Sequence, residues 1–212
     1  MDEMEKLKIL TLGNRDVGKS CFISRYIDDK FQETYLMTVG FDVKTKDIVL
    51  NNKSYKIAMY DTAGQERFKS MAYNVIKNSD GIILIFSITN QDSFDAIAEW
   101  MKNIRDAKPK EFPVVLLGNK IDLEDERVIS KQEGEELAQK YELSFYETSN
   151  KTGENIEKSC LDLINKIIIE KEKQKEEEKK NNKNQNKSNT NEKKKNIKLD
   201  KKKQNKKSNC SC

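Results

Sequence analysis

An apolar run, Leu7-Lys8-Ile9-Leu10-Thr11-Leu12, meets a glycine and passes straight into Gly13-Asn14-Arg15-Asp16-Val17-Gly18-Lys19-Ser20, after which a helical pattern begins. The octapeptide fits G-x-x-x-x-G-K-[ST], and it lies between a strand and a helix, where its mechanism needs it. The glycines let the backbone aim its N–H groups at a polyphosphate. The helix that starts near Gly18 adds its positive end. Lys19 can reach the outer phosphates and Ser20 can ligate Mg²⁺. The bland alternative is a glycine-rich strand–helix turn that carries Lys-Ser by coincidence, but motif, flanks and the pattern downstream agree with a phosphate loop. Taken alone the motif implies a nucleoside triphosphate. It does not separate ATP from GTP, or a kinase from a switch.

The rest of the chain repeats the strand–helix alternation. Residues 41–50 and 54–61 alternate polar and apolar side chains around Asn51-Asn52-Lys53 and read as a hairpin. Residues 81–88 and 113–119 are continuous apolar runs, as in strands buried on both faces of a parallel sheet. Residues 144–148 form a shorter strand. Phe94, Ile97, Met101 and Ile104 recur at helical spacing, with Asp92 or Ser93 as cap. Trp100 in that stretch reads as ordinary packing. Ser130 opens a helix through Tyr141, and Ile156, Cys160, Leu163, Ile164 and Ile167 form the inner stripe of a last one. The expected fold is α/β: a doubly wound, mostly parallel six-stranded sheet flanked by about five helices.

Charge divides the chain. Of 212 residues, 36% are charged and 35% apolar, but residues 171–212 hold 16 of the 40 Lys+Arg and 6 of the 36 Asp+Glu, a net of +10. Residues 1–170 keep 24 basic and 30 acidic side chains, a net of −6. A domain at 1–170 and a disordered Lys/Asn-rich tail at 171–212 are expected. With no histidine in the chain, a Ser-His-Asp triad, a His shuttle and a His-ligated metal are excluded. The four cysteines, at 21, 160, 210 and 212, form no CxxC pair, so neither a zinc site nor a disulfide framework is indicated. Cys21 and Cys160 read as packed in helices. No apolar run approaches the ~20 residues of a membrane-spanning helix, and the acidic start does not resemble a secretory signal. The expectation is a cytosolic, reduced protein.

Two further loops choose the ligand. Asn119-Lys120-Ile121-Asp122 follows an apolar strand, at the ligand edge of a doubly wound sheet. A carboxylate there accepts from both N1–H and N2–H₂ of guanine, a donor pair adenine lacks, and unpaired polar groups reject the wrong base strongly. Asn119 can tie the base-side loops together and the Lys120 stem can cover the ring. Ser149-Asn150-Lys151, after the last strand, can supply a backbone N–H to guanine O6. By itself Asn-Lys-x-Asp is as well read as a polar loop with a helix cap; about a hundred residues after a phosphate loop it is a base reader. Asp61-Thr62-Ala63-Gly64-Gln65-Glu66 ends another strand. Asp61 can hold Mg²⁺ through water, the Gly64 N–H can meet a γ-phosphate and Gln65 can orient the attacking water. Thr38 can put its hydroxyl on Mg²⁺ when the γ-phosphate is present.

With these five motifs in order, residues 6–170 resemble a Ras-superfamily small GTPase, and within it a Rab. The Rab-like residues are Thr38-Val39-Gly40-Phe41-Asp42, Gln65-Glu66-Arg67-Phe68-Lys69-Ser70 and the terminal Cys210-Ser211-Cys212. The resemblance implies a GTP/GDP switch on membranes of vesicle traffic that hydrolyses GTP with Mg²⁺. It implies nucleotide contacts from residues 13–21, including Asn14, Val17 and Cys21, with Phe31 stacked near the guanine and Tyr35 bordering the nucleotide. Phe31 also reads as a core residue flanking a helix. The implied partners are an exchange factor, a GTPase-activating protein, a GDP-dissociation inhibitor, an escort protein with its geranylgeranyl transferase, and effectors at the switch regions, with no specific nucleic acid. The implied location is the cytoplasmic face of an internal membrane, in exchange with cytosol.

The chain departs from the family pattern at several points. Val43, Tyr60 and Val75 stand where Rabs carry an aromatic triad. Asn150 stands where Ala is usual, keeping the backbone N–H. Arg15-Asp16 replaces a Ser-or-Gly then Gly pair, which predicts slow hydrolysis, Arg15 obstructing Gln65 and its water; an internal arginine finger is the opposite reading. Nine lysines within 193–207 precede the terminal cysteines. Two prenyl groups on Cys210 and Cys212 plus that basic stretch would anchor stably, where one lipid alone binds marginally. A solvated, compositionally biased tail is another reading. Two alternatives stand beside the switch: a GTP-loaded membrane tag with little hydrolysis, and a phosphate-loop NTPase whose basic tail binds nucleic acid.

Overall fold

The computed structural model describes residues 4–31, 41–62 and 69–177. The chain divides into two units, Met1–Ile168 and Ile169–Cys212. The described part of the second, residues 169–177, is helical.

In the first unit the strands are β1 (Glu5–Leu12), β2 (Phe41–Leu50), β3 (Lys53–Thr62), β4 (Gly81–Ser87), β5 (Val114–Asn119) and β6 (Ser144–Thr148). They form a six-stranded sheet in the order β2-β3-β1-β4-β5-β6. Only the β2–β3 pair is antiparallel among the described strands. Asn51 and Asn52 both take positive φ, 51° and 61°, the two-residue turn that matches strand twist, and Leu50 faces Lys53 across it. Asn supplies that conformation at lower cost than most side chains.

Because strand side chains alternate, the buried runs split by parity. Leu7, Ile9, Ile57, Met59, Ile83, Ile85, Val115 and Leu117 face one core with Phe22, Ile23, Cys160, Leu163 and Ile164. Leu10, Leu12, Ile82, Leu84, Phe86, Val114 and Leu116 face the other with Ile76, Ile97, Met101, Ile104 and Ala138. A strand buried on both faces has no polar phase to show, and this is why β4 and β5 read as unbroken apolar runs.

The first core is closed by α1 (Lys19–Asp28) and by a last helix that starts at residue 156. The second is closed by α2 (Lys69–Lys77), α4 (Ile97–Ala107) and α5 (Lys131–Tyr141). α3 (Gln91–Asp95) is a single short turn ahead of α4, broken from it at Ala96. Here the cap is Asn90, whose side chain accepts from the Ser93 N–H at 2.8 Å, in place of the expected Asp92 or Ser93. The cap falls two residues ahead of Asp92, the earlier of the two positions the apolar stripe suggests. Ser130 does cap α5: it accepts from the Glu133 N–H, and Glu133 accepts in return from the Ser130 N–H.

Candidate nucleotide-binding site

β1 lies mid-sheet, with β3 on one side and β4 on the other, so consecutive connections leave it in opposite directions. Such a switch point opens a crevice beyond the carboxyl ends of the strands. Four strand ends meet there: β1 feeds Gly13, β3 carries Asp61, β5 ends at Asn119, and β6 ends at Thr148, in register with Asn119.

The phosphate loop is held by its backbone conformation. Gly13 has φ 143°, and a Cβ there would lie 2.1 Å from the Ile85 carbonyl oxygen on β4. Gly18 has φ 98° and caps α1 without a side chain. A Cβ on it would lie 2.5 Å from Asn119 Nδ2 and 2.7 Å from Asn150 Nδ2. Neither position admits another residue without backbone or amide movement. Lys19 is 5% exposed, and its ammonium donates to the Gly13 and Asn14 carbonyls at 2.9 and 2.6 Å. A cation is thus already seated in the mouth of the loop, beside the α1 N-terminus. Asp16 takes a left-handed φ of 61°, tolerable for Asp although a glycine conformation. Arg15 and Asp16 form an ion pair at 3.4 Å, each side chain 61% exposed.

The base side is a pocket of about 360 Å³ whose walls include Gly18, Cys21, Phe31, Asn119, Lys120 and Asp122, with Asn150 and Lys151. Phe31, 36% exposed, lines this pocket and takes no place in either core. Asn119 is fully buried: its Nδ2 donates to the Val17 carbonyl at 2.8 Å and its Oδ1 accepts from the Thr148 hydroxyl at 3.3 Å. It therefore joins β5, β6 and the phosphate loop, as its position suggested. The Ser149 hydroxyl donates to Asp122 Oδ1 at 2.6 Å. That bond orients a carboxylate that is otherwise exposed, a role for the Ser149 side chain that its sequence context concealed.

Asp61 is 6% exposed at the end of β3, next to the end of β1. The Cys21 thiol is pushed up by burial first and by the Asp61 carboxylate second, so that carboxylate stands within electrostatic reach of the residue after Ser20. A hydroxyl and a carboxylate at the mouth of a phosphate loop are hard oxygen donors. They suit Mg²⁺, which keeps waters and takes phosphate oxygens alongside one or two protein ligands. Tyr35, Thr38, Gly64, Gln65, Cys210 and Cys212 lie outside the described residues.

Trp100 is the site residue that the sequence reading missed. Its indole N–H donates to Asn14 Oδ1 at 3.0 Å, and Asn14 Nδ2 reaches the Asp92 carbonyl at 3.4 Å. Expected to serve packing alone, it also ties α4 to the phosphate loop. Only its place in a helical apolar pattern was visible in the chain; its partner is 86 residues away.

A model of the Ras family matches residues 8–169. A relative from Diplobatis ommata, Ras-related protein Rab-10, is 41% identical over 161 residues, 76% of this chain and 80% of its own. The chain belongs to the Rab branch of the Ras family. Human Ras-related protein Rab-8B is 39% identical over 161 residues, 76% of this chain and 78% of that protein. The Rab-10 of Caenorhabditis elegans is 40% identical over the same length. As a Rab-like small GTPase the protein binds GTP and GDP, hydrolyses GTP and works in vesicle traffic through regulators and effectors. An NTPase with a nucleic-acid-binding tail is not favoured. No helix among the described residues of this Rab is long and apolar enough to cross a membrane.

Proposed function

We propose that this Rab reads guanine with Asp122 and binds the phosphates on residues 13–20, with a G domain spanning 1–170 and a membrane-directed tail at 171–212. The observation that carries the reading is the Ser149–Asp122 bond of 2.6 Å at the rim of a pocket that opens toward Gly18. One carboxylate oxygen accepts a hydrogen bond from the Ser149 hydroxyl, and the pair of oxygens stays aimed at the N1–H and N2–H₂ edge of guanine. The Asn150 backbone N–H meets O6, while Lys120 and Phe31 cover the ring faces and Lys151 and Cys21 complete the wall. Tyr35 borders the nucleotide.

Ser20, Thr38 and Asp61 hold Mg²⁺ in this reading; when bound, the ion neutralises charge on the outer phosphates. The Gly64 N–H marks the γ-phosphate and Gln65 orients the water that attacks it. Cys210 and Cys212 carry prenyl groups. The protein sits on the cytoplasmic face of an internal membrane and is extracted to cytosol by a GDP-dissociation inhibitor. An exchange factor and an activating protein set its nucleotide, an escort protein with its transferase adds the lipids, and effectors read the switch regions. Slow hydrolysis, from Arg15 and Asp16, is part of the proposal.

Competition binding tests it. GTP and GDP displace a fluorescent guanine nucleotide and ATP does not. Asp122→Asn loses guanine affinity by about tenfold or more and gains xanthine nucleotides, because an amide can donate to the xanthine 2-oxo group. Equal uptake of ATP by the wild type removes the base-reading argument.

A further inference from the structure

The Asn150 side chain does something separate from its backbone. It is 5% exposed, two residues past the end of β6, and its Nδ2 donates to the Gly18 carbonyl at 2.9 Å across 132 residues of chain. The same carbonyl accepts the Phe22 N–H of α1 at 2.8 Å, so both of its lone pairs are engaged. One residue earlier, Asn119 holds the Val17 carbonyl at 2.8 Å. Two side-chain amides, one from each base-reading strand end, thus pin two successive carbonyls of the phosphate loop.

Peptide planarity gives these bonds a consequence. In a trans peptide the C=O and the N–H that follows it point in opposite directions. Fixing the Val17 carbonyl turns the Gly18 N–H the other way, and fixing the Gly18 carbonyl does the same to the Lys19 N–H. Those N–H groups are donors to phosphate on the site reading above. The other end of the Asn150 amide carries no such bond: Oδ1 is buried, with no hydrogen-bond partner among the described residues. Reversing the amide would set oxygen against the Gly18 carbonyl, so the bond to Gly18 decides its orientation at the expense of a buried acceptor. An acceptor in that state is costly.

We propose that Asn150 is a positioning residue for the phosphate loop: its amide locks the Gly18–Lys19 peptide plane and so lengthens the residence of the bound guanine nucleotide. The inference rests on the site reading above. It assigns to one residue two couplings, the base through the backbone and the phosphates through the side chain. Losing the side chain loosens the second and leaves the first.

The experiment follows dissociation of N-methylanthraniloyl-GDP from the full-length protein in excess GDP and Mg²⁺. Three proteins are compared: wild type, Asn150→Ala and Asn150→Asp. Each keeps the backbone N–H. Alanine removes one net hydrogen bond, and release quickens by about two- to tenfold. Aspartate is isosteric but presents oxygen to the Gly18 carbonyl, so its release is faster still. The ratio of GDP to IDP affinity stays at the wild-type value in both, since Asp122 reads the 2-amino group that inosine lacks. Urea unfolding of the Ala variant under saturating GDP reports folding separately, and its midpoint, corrected for the measured affinity, stays near wild type because an unpaired acceptor leaves with the amide. Unchanged release in both variants overturns the inference, as does a shifted GDP:IDP ratio, which would put the side chain on the base. A wild type that fails to hold the fluorescent nucleotide overturns the site reading instead, and the inference with it.

Discussion

Arg15 and Asp16 show how two adjacent residues can alter a loop whose glycines are intact. Asp16 accepts the left-handed conformation that glycine occupies without cost, and its carboxylate pairs with Arg15 at 3.4 Å. Both side chains are largely exposed, so the pair is screened and of little worth to stability. Its importance is positional. On the proposed function, a guanidinium beside the phosphate loop would compete for the space of Gln65, its water and any arginine supplied in trans. An arginine finger contributes ~10³–10⁵ in rate to this chemistry. Single-turnover hydrolysis by Arg15→Gly should therefore run faster than wild type, by up to about tenfold, equivalent to ~1.4 kcal/mol of barrier. A clearly slower variant would make Arg15 an internal finger, whose planar charge suits a phosphoryl transition state.

Among the elements, α4 is the one whose role changed most. Its inner face, Ile97, Met101 and Ile104, is fully buried, as the periodicity implied. Its other contribution is Trp100, bonded to Asn14 of the phosphate loop. Since this is the single tryptophan of the chain, its emission reports on the junction of α4 with that loop. Removing nucleotide with a Mg²⁺ chelator and phosphatase should shift or quench the emission, and reloading GDP should restore it. Trp100→Phe keeps the ring packing and drops one hydrogen bond, so GDP release should quicken by about two- to tenfold. Emission indifferent to nucleotide would mean that the Asn14 bond carries nothing to the site.

At the scale of the whole molecule two chemistries share one chain. Residues 1–170 are net acidic and residues 171–212 net basic, with nine lysines in 193–207. Each lysine near an anionic leaflet adds ~1 kcal/mol of attraction, yet that attraction fades as the screening length falls to ~3 Å in 1 M salt. Lipid binding does not fade in this way. Changing both Cys210 and Cys212 to Ser should move the protein from the membrane fraction to cytosol, leaving weak binding to anionic vesicles that salt abolishes. Mass spectrometry of the wild type from its own cells should find two isoprenoid additions. A membrane-bound pool with unmodified termini would contradict the assignment.

Sequence alone determined the order of the six strands, the two-faced burial of β4 and β5, and the residue types at the phosphate loop and base loop. These signals are local or periodic: a glycine pair at fixed spacing, an apolar phase, a turn of two asparagines. The start of α3 was hidden, because its cap, Asn90, lies two residues ahead of Asp92, the earlier of the positions the apolar stripe favours. The bonds Trp100–Asn14, Ser149–Asp122 and Asn150–Gly18 were hidden for another reason. Each joins residues 27 to 132 positions apart, between loops or a helix that only the tertiary fold brings together. A side-chain amide or hydroxyl has no period and no preferred neighbour in the chain. Which partner it meets is decided when β1, β4, β5 and β6 stand in that order and the loops at their carboxyl ends close over one crevice.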